Sequence, residues 1–144
     1  MKVLIDTNVI LDVLLRREPF FDASARILDA AEKGILEGLV GATTVTTVHY
    51  LVGRARGGEA ATAAIRDILS LCRAAPVDHA VLVTAAEAGS GDFEDAVLYQ
   101  AARAAEASLV VTRDVAGFPS SPIPVVTLAV LLASLAAGAG TQGR

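Results

Sequence analysis

The stretch KVLIDTN, residues 2–8, places three apolar residues directly before an acid, an alcohol and an amide. Val3, Leu4 and Ile5 form a run too short for a helix and lacking the alternation of a half-exposed strand. That is the pattern of a strand buried on both faces. The arrangement recurs at residues 109–114, LVVTRD, where Leu109, Val110 and Val111 lead into Thr112, Arg113 and Asp114. Further strands are predicted at residues 37–42 and 124–126, with a short extended segment at Pro76 and Val77. Between them the apolar spacing is helical. Helices are predicted over residues 8–15 and from Asp22, as cap, to before Gly34. Another starts at Thr43 or Thr44 and runs to about Val52, closed by Gly53 and the Gly57-Gly58 pair. Others cover residues 59–73 and 79–88, run from Asp92 or Phe93 to about 107, and start at 128. Apolar strands separated by helices imply crossover connections and hence a mainly parallel sheet covered on both faces. The predicted fold is a three-layer α/β/α sandwich, one domain over residues 1–137, with a small polar tail at 138–144 that frays.

The 144 residues suit one domain with a real core. Hydrophobic residues make up 53% and charged residues 19%, which excludes a disordered chain. A net charge of −4 argues against a basic protein that coats duplexes, and 4% aromatic residues against a strand binder built on stacking platforms. Neither excludes a nucleic-acid enzyme with its carboxylates gathered in one site. Cys72 is the single cysteine, so no internal disulfide and no thiolate zinc site can form. The opening MKVLIDTN does not read as a signal peptide, and the apolar run at 128–137 is half the length that spans a bilayer. A soluble cytoplasmic protein is expected.

Functional groups of open parallel sheets gather beyond the C-terminal strand ends. Asp6 and Asp114 follow two such strands. The acidic run GDFED, residues 91–95, opens the helix that leads into the second of them. Carboxylates brought together repel and raise each other's pKa, and Mg2+ or Mn2+ is the usual remedy. Each acid also has a plainer reading. Asp6 can cap the next helix through the backbone of Asn8 or Val9. Asp92 and Asp95 have capping-box spacing, so one can cap while the other ligates, and Glu94 falls off their shared face. Asp114 can open a turn, and Asp12 can pair with Arg16 four residues on. His49 and His79 lack metal-ligand spacing.

In these motifs the chain resembles the PIN-domain family, ribonucleases that include the VapC-type toxins of toxin–antitoxin pairs. The resemblance rests on LIDTNVILDVLLRREPF at 4–20, GDFEDAVLYQAA at 91–102, LVVTRDVAGF at 109–118 and the closing SPIPVVTLAVLL. The DFEDA form and the REPF segment are similar to a PIN subgroup defined mainly by sequence. The resemblance implies a metal-dependent hydrolase acting on RNA. It makes Asp6, Asp95 and Asp114 catalytic acids, and Asp92 a further metal candidate. Thr7, Asn8, Thr112 and Arg113 become supporting or substrate-facing groups. It also implies a glutamate on the helix after the second strand. Here the stretch is GATTVTTVHYL, with Thr47 in the acid's place and His49 close by. A threonine can hold water but brings no charge.

Arg16, Arg17, Arg54, Arg56 and Arg113 are expected to track phosphates around the acids. The apolar face at Val48, Leu51 and Val52 and the Ala/Leu-rich last helix suggest a homodimer, and a small antitoxin is a further expected partner. The alternatives are a PIN-like module that binds RNA or protein without turnover, and a phosphoryl-transfer domain. The latter lacks a second aspartate two residues after Asp6, where Asn8 stands, and has no lysine after a late strand.

Overall fold

The computed structural model describes residues 1–88, 91–119 and 122–142. Its element order is β1 (Lys2–Ile5), α1 (Thr7–Leu14), α2 (Phe21–Glu32), β2 (Glu37–Gly41), α3 (Ala42–Arg56), α4 (Gly58–Leu71), β3 (Cys72–Ala75) and α5 (His79–Glu87). It continues with α6 (Phe93–Ala104), β4 (Leu109–Val111), a 3-10 turn (Val115–Gly117), β5 (Val125–Val126) and α7 (Leu128–Gln142). The five strands form one sheet in the order β3-β2-β1-β4-β5, and every pairing is parallel.

The order explains the KVLI run. β1 is the middle strand, and Val3, Leu4 and Ile5 are completely buried. Because strand side chains alternate, Val3 and Ile5 pack into one core with α1, α2, α3, α4 and α7. Leu4 faces the other way, into a core with Val81 of α5 and Val97, Leu98 and Tyr99 of α6. These are the three expected layers.

Four local readings are corrected. The helical period carries through Cys72, yet the helix stops at Leu71 and Cys72 turns extended (φ −132°, ψ 150°). Residues 72–75 then pair with Gly38, Leu39, Val40 and Gly41, so the third strand comes earlier than Pro76. Backbone pairing on an open sheet edge outweighs side-chain periodicity here. Gly53 does not end α3. α3 runs on to Arg56, and a Cβ at Gly53 would make only ordinary contact, 3.7 Å from the Ala61 methyl of α4. Asp22 lies in the first turn of α2, whose N-cap position is Phe20, and α3, with Gly41 at its N-cap position, has no side-chain cap. Last, α7 continues to Gln142, through part of the stretch read as a fraying polar tail from Gly138. Ala136, Ala137 and Ala139 are strong helix formers, and one glycine costs only about 1 kcal/mol. Residues 143–144 lie outside the described residues.

The predicted apolar face on α3 is also covered within the chain. Val48 and Val52 belong to the first core rather than to a free surface. Among the described residues no helix is long and apolar enough to cross a membrane.

Candidate functional site

The register between β1 and β4 pairs Ile5 with Val111, which carries Asp6 and Thr112 off the same end of two adjacent strands. Asp6 N–H donates to the Val111 carbonyl (3.1 Å), extending the pairing one residue beyond the strand. The Asp6 carboxylate is nearly buried and accepts two hydrogen bonds. Thr7 N–H reaches Oδ1 at 2.7 Å and the Thr112 hydroxyl reaches Oδ2 at 2.8 Å. Asp6 therefore caps α1, through Thr7 rather than Asn8 or Val9, and still presents its carboxylate at the strand end. Thr112 Oγ1 also accepts from Asp114 N–H at 3.1 Å. One completely buried hydroxyl thus ties the two acids predicted from the sequence.

The third acid arrives from α6. Asp92 caps that helix, its Oδ1 accepting from Asp95 N–H at 3.1 Å, which is the capping reading of the DFED run. Asp95 and Asp114 both border Gly117 in the 3-10 turn. A Cβ on Gly117 would run into Asp95 Oδ2 and lie 3.8 Å from Asp114 Oδ2. A side chain at Gly117 would have to displace the Asp95 carboxylate from that point.

Electrostatics marks the same place. Burial pushes the Asp95 carboxyl up to about 7, helped by the negative charges of Asp6, Asp92, Glu94 and Asp114. Burial also raises Asp6. Its hydrogen bonds from Thr112 and Thr7 and the Arg113 charge oppose the rise, and Asp114 adds to it. Glu94, which sequence spacing sets aside as solvated, is raised as well, by burial and by the charges of Asp92 and Asp6. Five carboxylates therefore share one field at the C-terminal sheet edge.

Other predicted groups fall into place or out of it. Thr7 Oγ1 meets the hydroxyl of Thr44, on the first turn of α3, at 2.8 Å. Thr44 is thus the α3 residue that reaches the strand-end network, and sequence reasoning missed it because its partner is thirty-seven positions away. Thr47 lies one turn further along α3, half-buried. His49 is exposed and turns to Thr62 of α4, 3.4 Å away. Asn8 is exposed on the first turn of α1.

Asp12 does not pair with Arg16. It is completely buried, and Arg113 Nη2 donates to its Oδ1 at 3.1 Å with Nε 2.8 Å from Oδ2 as an ionic contact. Ser24 donates to Asp12 Oδ2 (3.1 Å), and the Arg113 guanidinium lies 3.8 Å over the Phe20 ring. Of the five arginines expected to ring the acids, Arg113 is the one at the edge. Arg54 and Arg56 sit at the far end of α3, about 18 Å along its axis from Ala42. Arg16 and Arg17 follow the far end of α1.

Among the described residues, no three acids, histidines or cysteines already surround one point as a cage for a metal ion. A groove of about 800 Å³ lies between α2 and α7, and none of these acids lines it. The donor chemistry nevertheless fits a hard divalent ion. It consists of carboxylates under mutual repulsion with hydroxyls beside them, and Mg2+ keeps several waters and needs few protein ligands.

A parallel sheet in the order 3-2-1-4-5, with acids converging beyond its central strands, defines an α/β protein of the PIN type. The PIN-domain family model matches residues 2–116, and the chain belongs to that family, whose members are generally metal-dependent ribonucleases. No curated protein matches the sequence. Among solved structures, VapBC2 from Rickettsia felis, bound to a DNA fragment from its promoter, is similar at 15% identity. There the match covers 88% of this chain and 98% of the other, with a TM-score of 0.65. A toxin–antitoxin complex from Klebsiella pneumoniae matches at 17% identity over 88% and 97%, TM-score 0.65. VapC20 from Mycobacterium tuberculosis, a sarcin-ricin loop cleaving toxin, matches at 16% identity over 75% and 86%, TM-score 0.61. At these identities the likeness is one of fold.

Proposed function

We propose that this chain is a metal-dependent ribonuclease that hydrolyses phosphodiester bonds at the acidic sheet edge. The carrying observation is the tie from Asp6 through Thr112 to Asp114, with the Asp95 and Asp114 carboxylates both bordering Gly117. Asp6, Asp95 and Asp114 would hold Mg2+ or Mn2+, with Asp92 and Glu94 adding negative potential from the start of α6. When bound, such an ion makes water a better nucleophile and steadies charge on phosphate oxygens.

The chain's own groups set up that chemistry. Thr7 N–H and the Thr112 hydroxyl fix both oxygens of Asp6, so its orientation does not wait for substrate. Thr112 also holds the Asp114 backbone. The Thr7 and Thr44 hydroxyls supply neutral polar groups beside Asp6, on the side where α3 brings no acid. Arg113 contributes positive charge at the edge. In the cell the chain is proposed to act as a cytoplasmic homodimer and as the toxin of a toxin–antitoxin pair, held by a small antitoxin.

One observation favours a second reading. α3 places threonines where a glutamate is expected, so the edge has fewer charges for a second ion. A PIN-like module that binds RNA without turnover follows from that. Incubation of a mixed RNA pool with Mn2+ separates the two. The nuclease reading predicts cleavage that disappears in Asp6→Asn and Asp114→Asn. No cleavage by wild type, with RNA still bound, supports the binding module.

A further inference from the structure

We infer that Asp12 is a positioning residue for the acidic edge: it holds the Arg113 guanidinium aside, so that this cation does not fold onto Asp6 and Asp114 and occupy the place of a metal ion. The inference rests on the metal reading above.

Arg113 lies between Thr112, whose hydroxyl is on Asp6, and Asp114 itself. A free guanidinium at that position faces several carboxylates that repel one another. Bidentate pairing with them is its favoured state. Instead the side chain turns away. Nη2 donates to Asp12 Oδ1, Nε contacts Oδ2, and Cζ sits 3.8 Å from the centre of the Phe20 ring. Asp12 is fixed in turn by Ser24, and both residues are completely inaccessible to solvent.

The clamp joins α1, the start of α2 and the strand end that carries Asp114. A buried ion pair is a weak way to stabilise a fold, since apolar residues of similar size do as well. Its location gives it a purpose. The held guanidinium is close enough for its charge to be felt at Asp6, and is not bonded to it. The acids stay available while part of their repulsion is relieved.

The test is Mn2+ binding by calorimetry to the metal-free full chain, with circular dichroism to confirm folding. In Asp12→Asn, Ser24 keeps an acceptor but Arg113 loses its anchor, and Mn2+ affinity is expected to fall about tenfold or more. Adding Arg113→Gln removes the competing cation and should restore affinity to within about threefold of wild type. That rescue distinguishes competition from a merely structural pair. Equal weakening in the single and double variants, or an unchanged affinity in Asp12→Asn, overturns the inference. Should Asp12→Asn fail to fold, Phe20→Leu removes only the stacking surface. It must weaken Mn2+ binding in the same direction, and an unchanged affinity overturns the inference. A wild-type chain that binds no Mn2+ removes the metal reading and this inference with it. Wild-type binding with Asp12→Asn unaffected removes the inference alone.

Discussion

Asp95 is the residue on which charge repulsion is most visible, and its titration has a definite sign. In the unfolded chain its carboxyl loses its proton near pH 4, whereas in the metal-free fold it keeps it to about 7. Between those values the native state binds more protons than the unfolded state, so stability is lost as pH rises through that window. Asp95→Asn should therefore raise the unfolding free energy of metal-free protein at pH 8 and leave it unchanged at pH 4. The expected gain is on the order of 1 kcal/mol, well below the full shift because the carboxyl is half exposed and screened. Thermal unfolding across pH measures it, and an equal effect at both ends would contradict the account. Gly117 gives a second expectation at this scale. Gly117→Ala puts a methyl where Asp95 Oδ2 lies, so Mn2+ affinity should drop about tenfold or more while the fold survives. Calorimetry that finds wild-type affinity would show that Asp95 has no part in holding the ion. Asp6 and Asp114 were legible in the sequence because each follows a strand readable from three apolar residues. The partnership of Asp12 with Arg113 was not, because a contact across 101 positions leaves no local pattern, whereas Arg16 one turn away does.

At the level of elements, α6 is the one whose start decides the site. Asp92 has two possible roles there, and substitution separates them. Asparagine caps a helix as well as aspartate, so Asp92→Asn should leave stability nearly unchanged, and Asp92→Ala should cost about 0.5–2 kcal/mol in urea unfolding. A loss of Mn2+ affinity in Asp92→Asn would then be due to its charge alone. Equal destabilisation by both substitutions would contradict the capping role. β1, β4 and α6 could be read because their patterns are local: an apolar triplet, or an acid placed three residues before another. β3 could not. Its residues continue the apolar spacing of α4, and only their pairing with β2 makes them a strand. The far end of α6 was overestimated for a similar reason. Ala102 accepts from Ala107 N–H and Glu106 adopts a φ of 60°, turning the chain sharply into β4 after Ala104, although alanines continue the helical pattern. The start of α3 shows the reverse case, with Thr44 engaged by Thr7 of another element instead of capping its own helix.

Over the whole molecule, the parallel sheet itself makes the site. Because every strand runs the same way, residues 6 and 114 emerge on one edge, and the helix that begins at Phe93 starts close enough to bring Asp95 to them. The three-layer order follows from the sequence, since apolar strands joined by helices leave few alternatives. The distribution of positive charge does not. It depends on helix lengths, which take Arg54 and Arg56 to the far end of α3 and leave Arg113 at the edge. The apolar face read on α3 turns inward, since Val48 and Val52 are apolar on account of the core beneath them. Above all, these distant aspartates are proposed to form one cation site. A crystal structure of the chain soaked in Mn2+ tests this most directly. Anomalous density bounded by Asp6, Asp95 and Asp114 is expected; a clean edge, or manganese bound only elsewhere, would contradict the proposal.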